Sequence, residues 1–325
     1  MSNINLDNLI NDLKQIQSGF FSKFGVTDII TNSKIFEILI ADSLGHILIP
    51  GHSGSRDARD NAGNEFEYKH FKEGSSNHSW TFNDFSDTTI EKLTNTKAVI
   101  FAHIQDEDVE FSKFDWYYEV PGRVISDYLK EATKKIKNNR KMINVSPKQI
   151  EKYMGLTKKT SNTIPGNYAE WIKKIIVIAG KIENEVETTG ILTSNKFWEV
   201  LVALKLGHKV QSEQANHDAF DDEGNFYEYK VAKGTNWSFQ DISTEVLHKY
   251  LSDKNIILAS VDKDNFLIKK IFIANTKKVV KLLRKKLREK KQRYLSLDKE
   301  IRRKQISLNL KDLKTIRAKL SYPKD

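Results

Sequence analysis

Hydrophobic positions recur along this chain in two matching series. Leu6, Leu9, Ile10, Leu13 and Ile16 stand at helical spacing near the start, and Trp171, Ile172, Ile175, Ile176 and Ala179 do so in the middle. Each series predicts an amphipathic helix that opens one half of the chain. A second, more apolar helix is expected over about 33–44 and 195–206, ending at Gly45 and Gly207, since helix C-termini favour glycine. A strand should follow, then a turn written Asp60-Asn61-Ala62-Gly63-Asn64 or Asp221-Asp222-Glu223-Gly224-Asn225, then a return strand carrying Glu-Tyr-Lys. Apolar runs near 97–104 and 254–261 predict two further strands. The expected class is α/β (α+β), with a mixed central sheet flanked by helices in each half.

The two series are a duplication. Asp57–Lys69 and Asp218–Lys230 agree at eight of thirteen positions, and Lys34–His46 agrees with Lys196–His208 at seven of thirteen. Trp80-Thr-Phe82-Asn83-Asp84-Phe-Ser86 aligns with Trp237-Ser-Phe239-Gln240-Asp241-Ile-Ser243, and Lys97–Ala102 with Lys254–Ala259. The offset drifts from 162 to 157 while the order of blocks is kept, so loops have changed length inside two homologous domains. The domains are expected at 1–140 and 167–295. Between them, 141–166 reads as a linker because Pro147, Gly155, Pro165 and Gly166 fall among polar residues, with a short helix conceivable over Gln149–Leu156. Residues 296–325 read as a basic extension without a counterpart in the first half, whose spaced leucines and isoleucines should pack on something.

Charge separates the halves further. Of the net +10, residues 276–325 hold +14, from 19 Lys and Arg against 5 Asp and Glu, which leaves −4 elsewhere. A solvated helical surface and a polyanion partner both fit that tail. The chain has no cysteine, which excludes disulfides, thiolate metal sites and cysteine nucleophiles. It shows no secretory leader and no 18-residue apolar span, so an intracellular protein with no membrane partner is expected.

The repeated hairpin carries the candidate chemistry. Alternate residues of a strand share a face, so Glu67 and Lys69 project together while Tyr68 turns away. The hairpin brings Asp57 beside them, and two converging carboxylates repel unless a cation joins them. Oxygen ligands of this kind select Mg²⁺, which keeps several waters and favours sites completed by phosphates. A lysine beside the pair can stabilise or help activate an attacking water. The spacing Asp-x9-Glu-x-Lys therefore fits phosphodiester hydrolysis, at Asp57, Glu67 and Lys69 and again at Asp218, Glu228 and Lys230. A charged hairpin with a cross-strand salt bridge is the plain alternative, and the repetition weighs against it.

This hairpin, with a carboxylate-bearing helix before it, resembles the PD-(D/E)XK nuclease superfamily. More narrowly, Gly25-Val-Thr-Asp28-Ile29, Leu48-Ile-Pro50-Gly51 and Asp57-Ala-Arg-Asp60-Asn61-Ala62-Gly63-Asn-Glu65-Phe-Glu67-Tyr-Lys69 resemble the PvuII-type restriction endonucleases over most of residues 20–120, and the second half follows more loosely. The resemblance implies two tandem PD-(D/E)XK domains forming an intramolecular pseudodimer, a monomer that cleaves double-stranded DNA with one site per strand. It implies catalytic trios at Asp57, Glu67, Lys69 and Asp218, Glu228, Lys230, with one or two Mg²⁺ per site held by Asp57, Glu67, Asp218 and Glu228. It also implies cytoplasmic work in a prokaryotic cell beside a separate DNA methyltransferase. The family's homodimer is here a fusion, and its histidine run after the catalytic strand is absent, which leaves the target open. A strand-selective nickase and a non-catalytic, sequence-specific DNA-binding protein are the rival readings.

Glu37 and Glu199 lie on apolar helices, where a carboxylate needs a partner such as the lysine or a second metal. Asn83 and Gln240 can read adenine, and Asp84 and Asp241 can accept from cytosine. The two aspartates equally suit helix caps. Lys72 and Lys233 are candidate phosphate contacts, Trp80, Phe82, Trp237 and Phe239 are read as packing, and His46 and His208 are assigned no chemistry. The diverged halves imply an asymmetric or imperfectly palindromic target.

Overall fold

The most apolar run of the first half, Ala98–Gln105, is buried at seven of its eight positions, as a strand covered on both faces must be. Asn255–Asp262 repeats this with six of eight. Around these strands the chain builds two mixed sheets of six strands each, with helices against them. The computed structural model describes residues 3–30, 33–50, 56–74, 77–83, 86–105, 113–136, 142–161, 166–212, 215–298, 301 and 304–323. The chain divides into two compact units, Met1–Gly180 and Lys181–Asp325.

In the first unit the elements run α1 (Asn3–Phe24), α2 (Lys34–Leu44), β1 (Ile47–Leu48), β2 (Ala58–Arg59), β3 (Glu65–Lys72), β4 (Trp80–Phe82), α3 (Asp87–Thr94), β5 (Ala98–Gln105), β6 (Lys113–Pro121), α4 (Gly122–Lys134), β7 (Ile143–Val145), α5 (Pro147–Met154) and β8 (Lys159–Thr160). Helix α6 (Ala169–Glu185) contains the division. Beyond it come α7 (Lys196–Leu206), β9 (Lys209–Val210), β10 (Ala219–Phe220), β11 (Phe226–Ala232), β12 (Asn236–Phe239), α8 (Thr244–Ser252), β13 (Asn255–Asp262), β14 (Leu267–Asn275), α9 (Thr276–Leu295), β15 (Ile306–Asn309), α10 (Leu310–Ile316) and β16 (Lys319–Tyr322).

The two sheets have one topology. The first is ordered β1-β2-β3-β5-β6-β8 and the second β9-β10-β11-β13-β14-β16. Among the described residues, only β3 with β5 and β11 with β13 pair in parallel. Parallel neighbours need a crossover, supplied by β4 and α3 in one unit and by β12 and α8 in the other. The register is shared as well, with Glu67 opposite Val99 and Lys69 opposite Phe101, and Glu228 opposite Ile256 and Lys230 opposite Leu258.

Two expectations about organisation change. Residues 141–166, expected as a linker, contain β7, α5 and β8, and the two strands pair with β4 and β6. Residues 296–325, expected as an extension without counterpart, contain β15, α10 and β16, which occupy the same places against β12 and β14. The tail repeats the supposed linker. Residue identity has drifted while the buried face has not, for Ile143 and Val145 are buried as Ile306 and Leu308 are. Ser146 and Asn309 cap the two helices, each in a reciprocal capping box with Gln149 or Asp312. Pro147 and Gly155, read as linker punctuation, are a helix start and stop. Helix α6 also departs from expectation, since its Trp171 packs on Phe20 and Phe24 of α1, at 5.8 and 6.2 Å between ring centroids.

Behind each sheet lies an apolar core, with Trp80, Phe101, Tyr118 and Ile125 in the first unit and Trp237, Phe239, Leu258 and Val280 in the second. The buried indole N–H of Trp80 donates to the Ala102 carbonyl at 2.7 Å and that of Trp237 to Ala259 at 2.8 Å, so both rings are core residues. Among the described residues no helix is long and apolar enough to cross a membrane.

Candidate active sites

The hairpin turn is held by one side chain. Asp60 accepts from the backbone N–H of Ala62 and Asn64, both at 2.9 Å, and from the Asn64 amide at 2.7 Å. Asp221 does the same for Glu223 and Asn225, and adds the Tyr227 hydroxyl at 2.7 Å. These bonds hold both aspartates below the usual carboxylate range, led by Asn64 for Asp60 and by Tyr227 for Asp221. Gly63 and Gly224 complete the turns at φ 83° and 79°, in the left-handed region that favours glycine. Asp60, Gly63 and Asn64 therefore recur in the second half because the turn needs them.

That turn presents Asp57 to the middle of β3. The Asp57 N–H donates to Phe66 at 2.8 Å, its carbonyl accepts from Ile49 at 2.9 Å, and its carboxylate accepts from the Tyr68 N–H at 2.7 Å. Asp218 is fixed alike, with its carboxylate 2.6 Å from the Tyr229 N–H. Glu67 and Lys69 project together from β3, and the Lys69 ammonium donates to Glu67 Oε1 and, at 3.2 Å, to the Tyr68 carbonyl. In the second unit Lys230 donates to Glu228 Oε1 and, at 3.1 Å, to the Tyr229 carbonyl. The second carboxylate oxygen, Oε2 of Glu67 and of Glu228, is buried without a hydrogen-bond donor.

Burial opposes the charge on both lysines, yet Glu67 with Asp57, and Glu228 with Tyr250 and Asp218, more than offset it and hold the ammonium pKa values above the ordinary lysine value. Both lysines are cations at neutral pH, suited to stabilising negative charge and not to accepting a proton. Burial pushes Glu67 above the usual carboxylate range, with Asp57 adding to the effect against the pull of Lys69.

The helix before the hairpin joins each cluster. Burial and then Asp57 push Glu37 of α2 from 4.5 up to about 7, against the pull of Lys34 and Lys69. Glu199 of α7 is likewise raised by burial and by Asp218. Each is paired one turn back, Glu37 with Lys34 and Glu199 with Lys196, the latter at 2.6 Å. Lys34 and Lys196 match in the repeat, and no role is assigned to either from sequence. Their signal was a repeated Lys-x-x-Glu, whose i,i+3 spacing brings the side chains together on a helix. His46 and His208, also without an assigned role, each sit 2.8 Å from the hydroxyl of Tyr68 or Tyr229 and stack on Phe66 or Tyr227. They anchor the tyrosine of Glu-Tyr-Lys from behind the site.

The second cluster has groups that the first lacks. Lys249 of α8 lies 3.7 Å from Glu228 Oε2. His217 and Asp253 form a pair at 2.7 Å, where burial pushes Asp253 up to about 6 and Glu228 and Asp218 add to it. At the corresponding positions the first unit has Arg56, which pairs with Glu65 at 2.5 Å, and Thr96, which bonds the Lys92 carbonyl at 3.2 Å.

Among the described residues, no three His, Asp or Glu side chains close into a metal cage. Mg²⁺ asks for less, because one or two carboxylates with waters and phosphate oxygens complete its shell. Asp57 with Glu67, and Asp218 with Glu228, fit that donor set, and the undonated Glu oxygens are what a cation would satisfy.

The remaining candidates fall around the strand ends. Asn83, Gln240, Asp241 and Lys233 are exposed and Lys72 is half-buried with its ammonium 5.4 Å from the Phe36 ring, while Asp84 lies outside the described residues. The capping alternative fails for Asp241, because Ser243 caps α8 as Ser86 caps α3. Asp241 instead holds a left-handed backbone at φ 51°. A scan against protein-family models finds no match for this chain, and a search of curated proteins finds none.

Proposed function

We propose that the chain is a Mg²⁺-dependent endonuclease of double-stranded DNA, of restriction type and PD-(D/E)XK kind, with one active site in each unit. The observation that carries this reading is the duplicated cradle. In both units an Asp is tied to the N–H between Glu and Lys, and the Glu holds a buried oxygen without a donor beside a cationic Lys. An ordinary surface salt bridge has no use for such an oxygen, since an undonated buried acceptor costs stability.

Asp57 with Glu67 and Asp218 with Glu228 would hold the metal, which when bound supplies Lewis-acid polarisation of a phosphoryl oxygen. Lys69 and Lys230 stabilise the negative charge that builds on that phosphate as water adds and the P–O bond breaks. Lys34 and Lys196 offset the charge of Glu37 and Glu199 beside each cluster. Two sites answer the two strands of a duplex, so the expected product is a double-strand break.

A second reading, strand-selective nicking, has one observation in its favour. Lys249 already meets the Glu228 oxygen that a metal would need. Supercoiled plasmid incubated with the protein and Mg²⁺ separates the readings, with linear DNA expected for the first and open circle for the second. No change with Mg²⁺, or equal cleavage by Lys69→Ala/Lys230→Ala, would sink both.

A further inference from the structure

Helix α9 carries ten Lys and Arg and one Glu in twenty residues, a net charge of +9, whereas its counterpart α4 has a net charge of +1. Lys278, Lys281, Lys285 and Arg288 share one face of α9 and, with Arg317, line a groove of about 770 Å³ between α9 and α10. Glu289 is the single acid in that lining, and it pairs with Lys285 at 3.8 Å. Among the described residues Lys278, Lys281 and Arg317 have no carboxylate partner.

This is an unfavourable arrangement for the fold alone. Like charges at i,i+3 and i,i+4 destabilise a helix, and Lys277 and Lys278 stand in its first turn, where the helix dipole disfavours cations. Nor is the groove a loose tail. Lys286 meets Asp312 at 2.5 Å and Lys290 donates to the Gln305 carbonyl at 3.0 Å, which fixes α10 and the segment before it to α9. Arg317 adds an independent mark. It ends α10 with φ 56° and ψ 48°, the left-handed conformation that Gly155 adopts at the end of α5. A side chain is kept where the other unit uses glycine, and it belongs to an arginine that lines the groove.

From these features we infer that the α9–α10 groove binds the phosphate backbone of duplex DNA outside either active site. The stretch from Lys278 to Arg288 spans about 15 Å of helix, the axial rise of roughly four phosphates on one DNA strand. Five cations against one acid suit a regular row of phosphates, and Arg317 offers the bidentate donor geometry phosphate accepts. Because α4 has no such charge, the grip belongs to the second unit alone and would hold flanking DNA on one side of the cut. The choice of DNA as the polyanion rests on the proposed nuclease function, while the groove's binding is tested apart from cleavage.

The test is fluorescence anisotropy of a labelled 30-base-pair duplex of arbitrary sequence with the full chain in EDTA, titrated over a range of salt. Lys278→Gln/Lys281→Gln/Lys285→Gln should weaken binding by more than tenfold and reduce the log–log salt slope by about three. Arg317→Gly should lower the slope by about one while leaving the melting temperature unchanged or higher, an outcome that damage to the fold cannot produce. Lys130→Gln/Lys134→Gln on α4, exposed lysines outside the groove and both clusters, should bind with an unaltered slope, and EDTA keeps cleavage out of the readout, so a failure here speaks to the groove and not to the active sites. Unchanged affinity and slope in the triple variant would overturn the inference. So would displacement of the duplex by poly-glutamate at equal charge, or tighter binding of single-stranded RNA than of duplex.

Discussion

The two candidate clusters share a backbone arrangement and differ in charge. Asp57 and Asp218 are held by the same N–H, and Lys69 and Lys230 bond the same pair of acceptors. Yet Lys249 lies 3.7 Å from Glu228 Oε2, while among the described residues no second lysine is paired with Glu67. Lys92 occupies the matching place on α3 and, among the described residues, has no ion pair with Glu67. The difference teaches that two halves can hold the same trio in the same backbone and still differ in the charge that a metal, under the proposed function, would meet there. In the first unit the buried oxygen has no hydrogen-bond donor, and in the second the equivalent oxygen has the Lys249 ammonium 3.7 Å away.

The largest effect that tests this comparison is loss of one lysine. Lys69→Ala or Lys230→Ala should slow cleavage of one strand by about 10²- to 10³-fold, so that a linearising enzyme becomes a nicking one. Gel separation of open circle from linear plasmid reads the outcome, and linear product at the normal rate from either variant would remove that lysine from the mechanism.

The pH dependence of stability comes next. Glu37 binds its proton near 7 in the folded chain and near 4.5 when unfolded. Between those values the folded state holds the extra proton, so this group's contribution to stability is full below about 4.5 and lost as pH rises through 7. Melting of Glu37→Gln should therefore show a smaller fall between pH 5 and pH 8 than the unaltered chain, in buffer with EDTA. An equal fall would show that Glu37 is not in the environment described.

Smaller again are the caps that make the tail equivalent to β7, α5 and β8. Ser146→Ala and Asn309→Ala should each cost about 1 kcal/mol, measured by denaturant unfolding. If only Ser146→Ala destabilises, the tail is not an integral part of its unit. The smallest effect concerns Lys249. The pair is long, at 3.7 Å, and its Lys249 side is open to solvent, which keeps it at about 0.2–1 kcal/mol, so Lys249→Met should lower the Mg²⁺ concentration needed for second-strand cleavage by about 1.5- to 5-fold, while Lys92→Met leaves the first strand unaffected.

Much of the site was legible from residue identity, though for mixed reasons. Helices expected at 33–44 and 195–206 are found at Lys34–Leu44 and Lys196–Leu206, and the buried strands within one residue of expectation. Of the eight identities between the hairpins, Asp60, Gly63 and Asn64 build the turn, and Asp57, Glu67 and Lys69 build the cluster. Identity alone does not separate those two uses; hydrogen-bond partners do. The segment β7–α5–β8 was hidden for the opposite reason. It kept buried positions and capping chemistry and lost identity, so it looked like a linker with Pro147 and Gly155 as its marks. Lys249 was out of reach because it approaches Glu228 from α8, and only the packing of that helix on the sheet brings them together. Lys34 and Lys196 were in plain view as identities, and the i,i+3 pairing with Glu37 and Glu199 was the missed clue.

The central claim is that each unit cuts one strand of a shared duplex, and strand-resolved sequencing of nicks tests it most directly. A phage or plasmid DNA is treated with Lys69→Ala and, separately, with Lys230→Ala in Mg²⁺, and the nicked strand is recorded at every site the unaltered chain cuts. The account predicts that the two variants nick opposite strands at the same loci. Nicks on the same strand from both variants, or on both strands from either one, would contradict it.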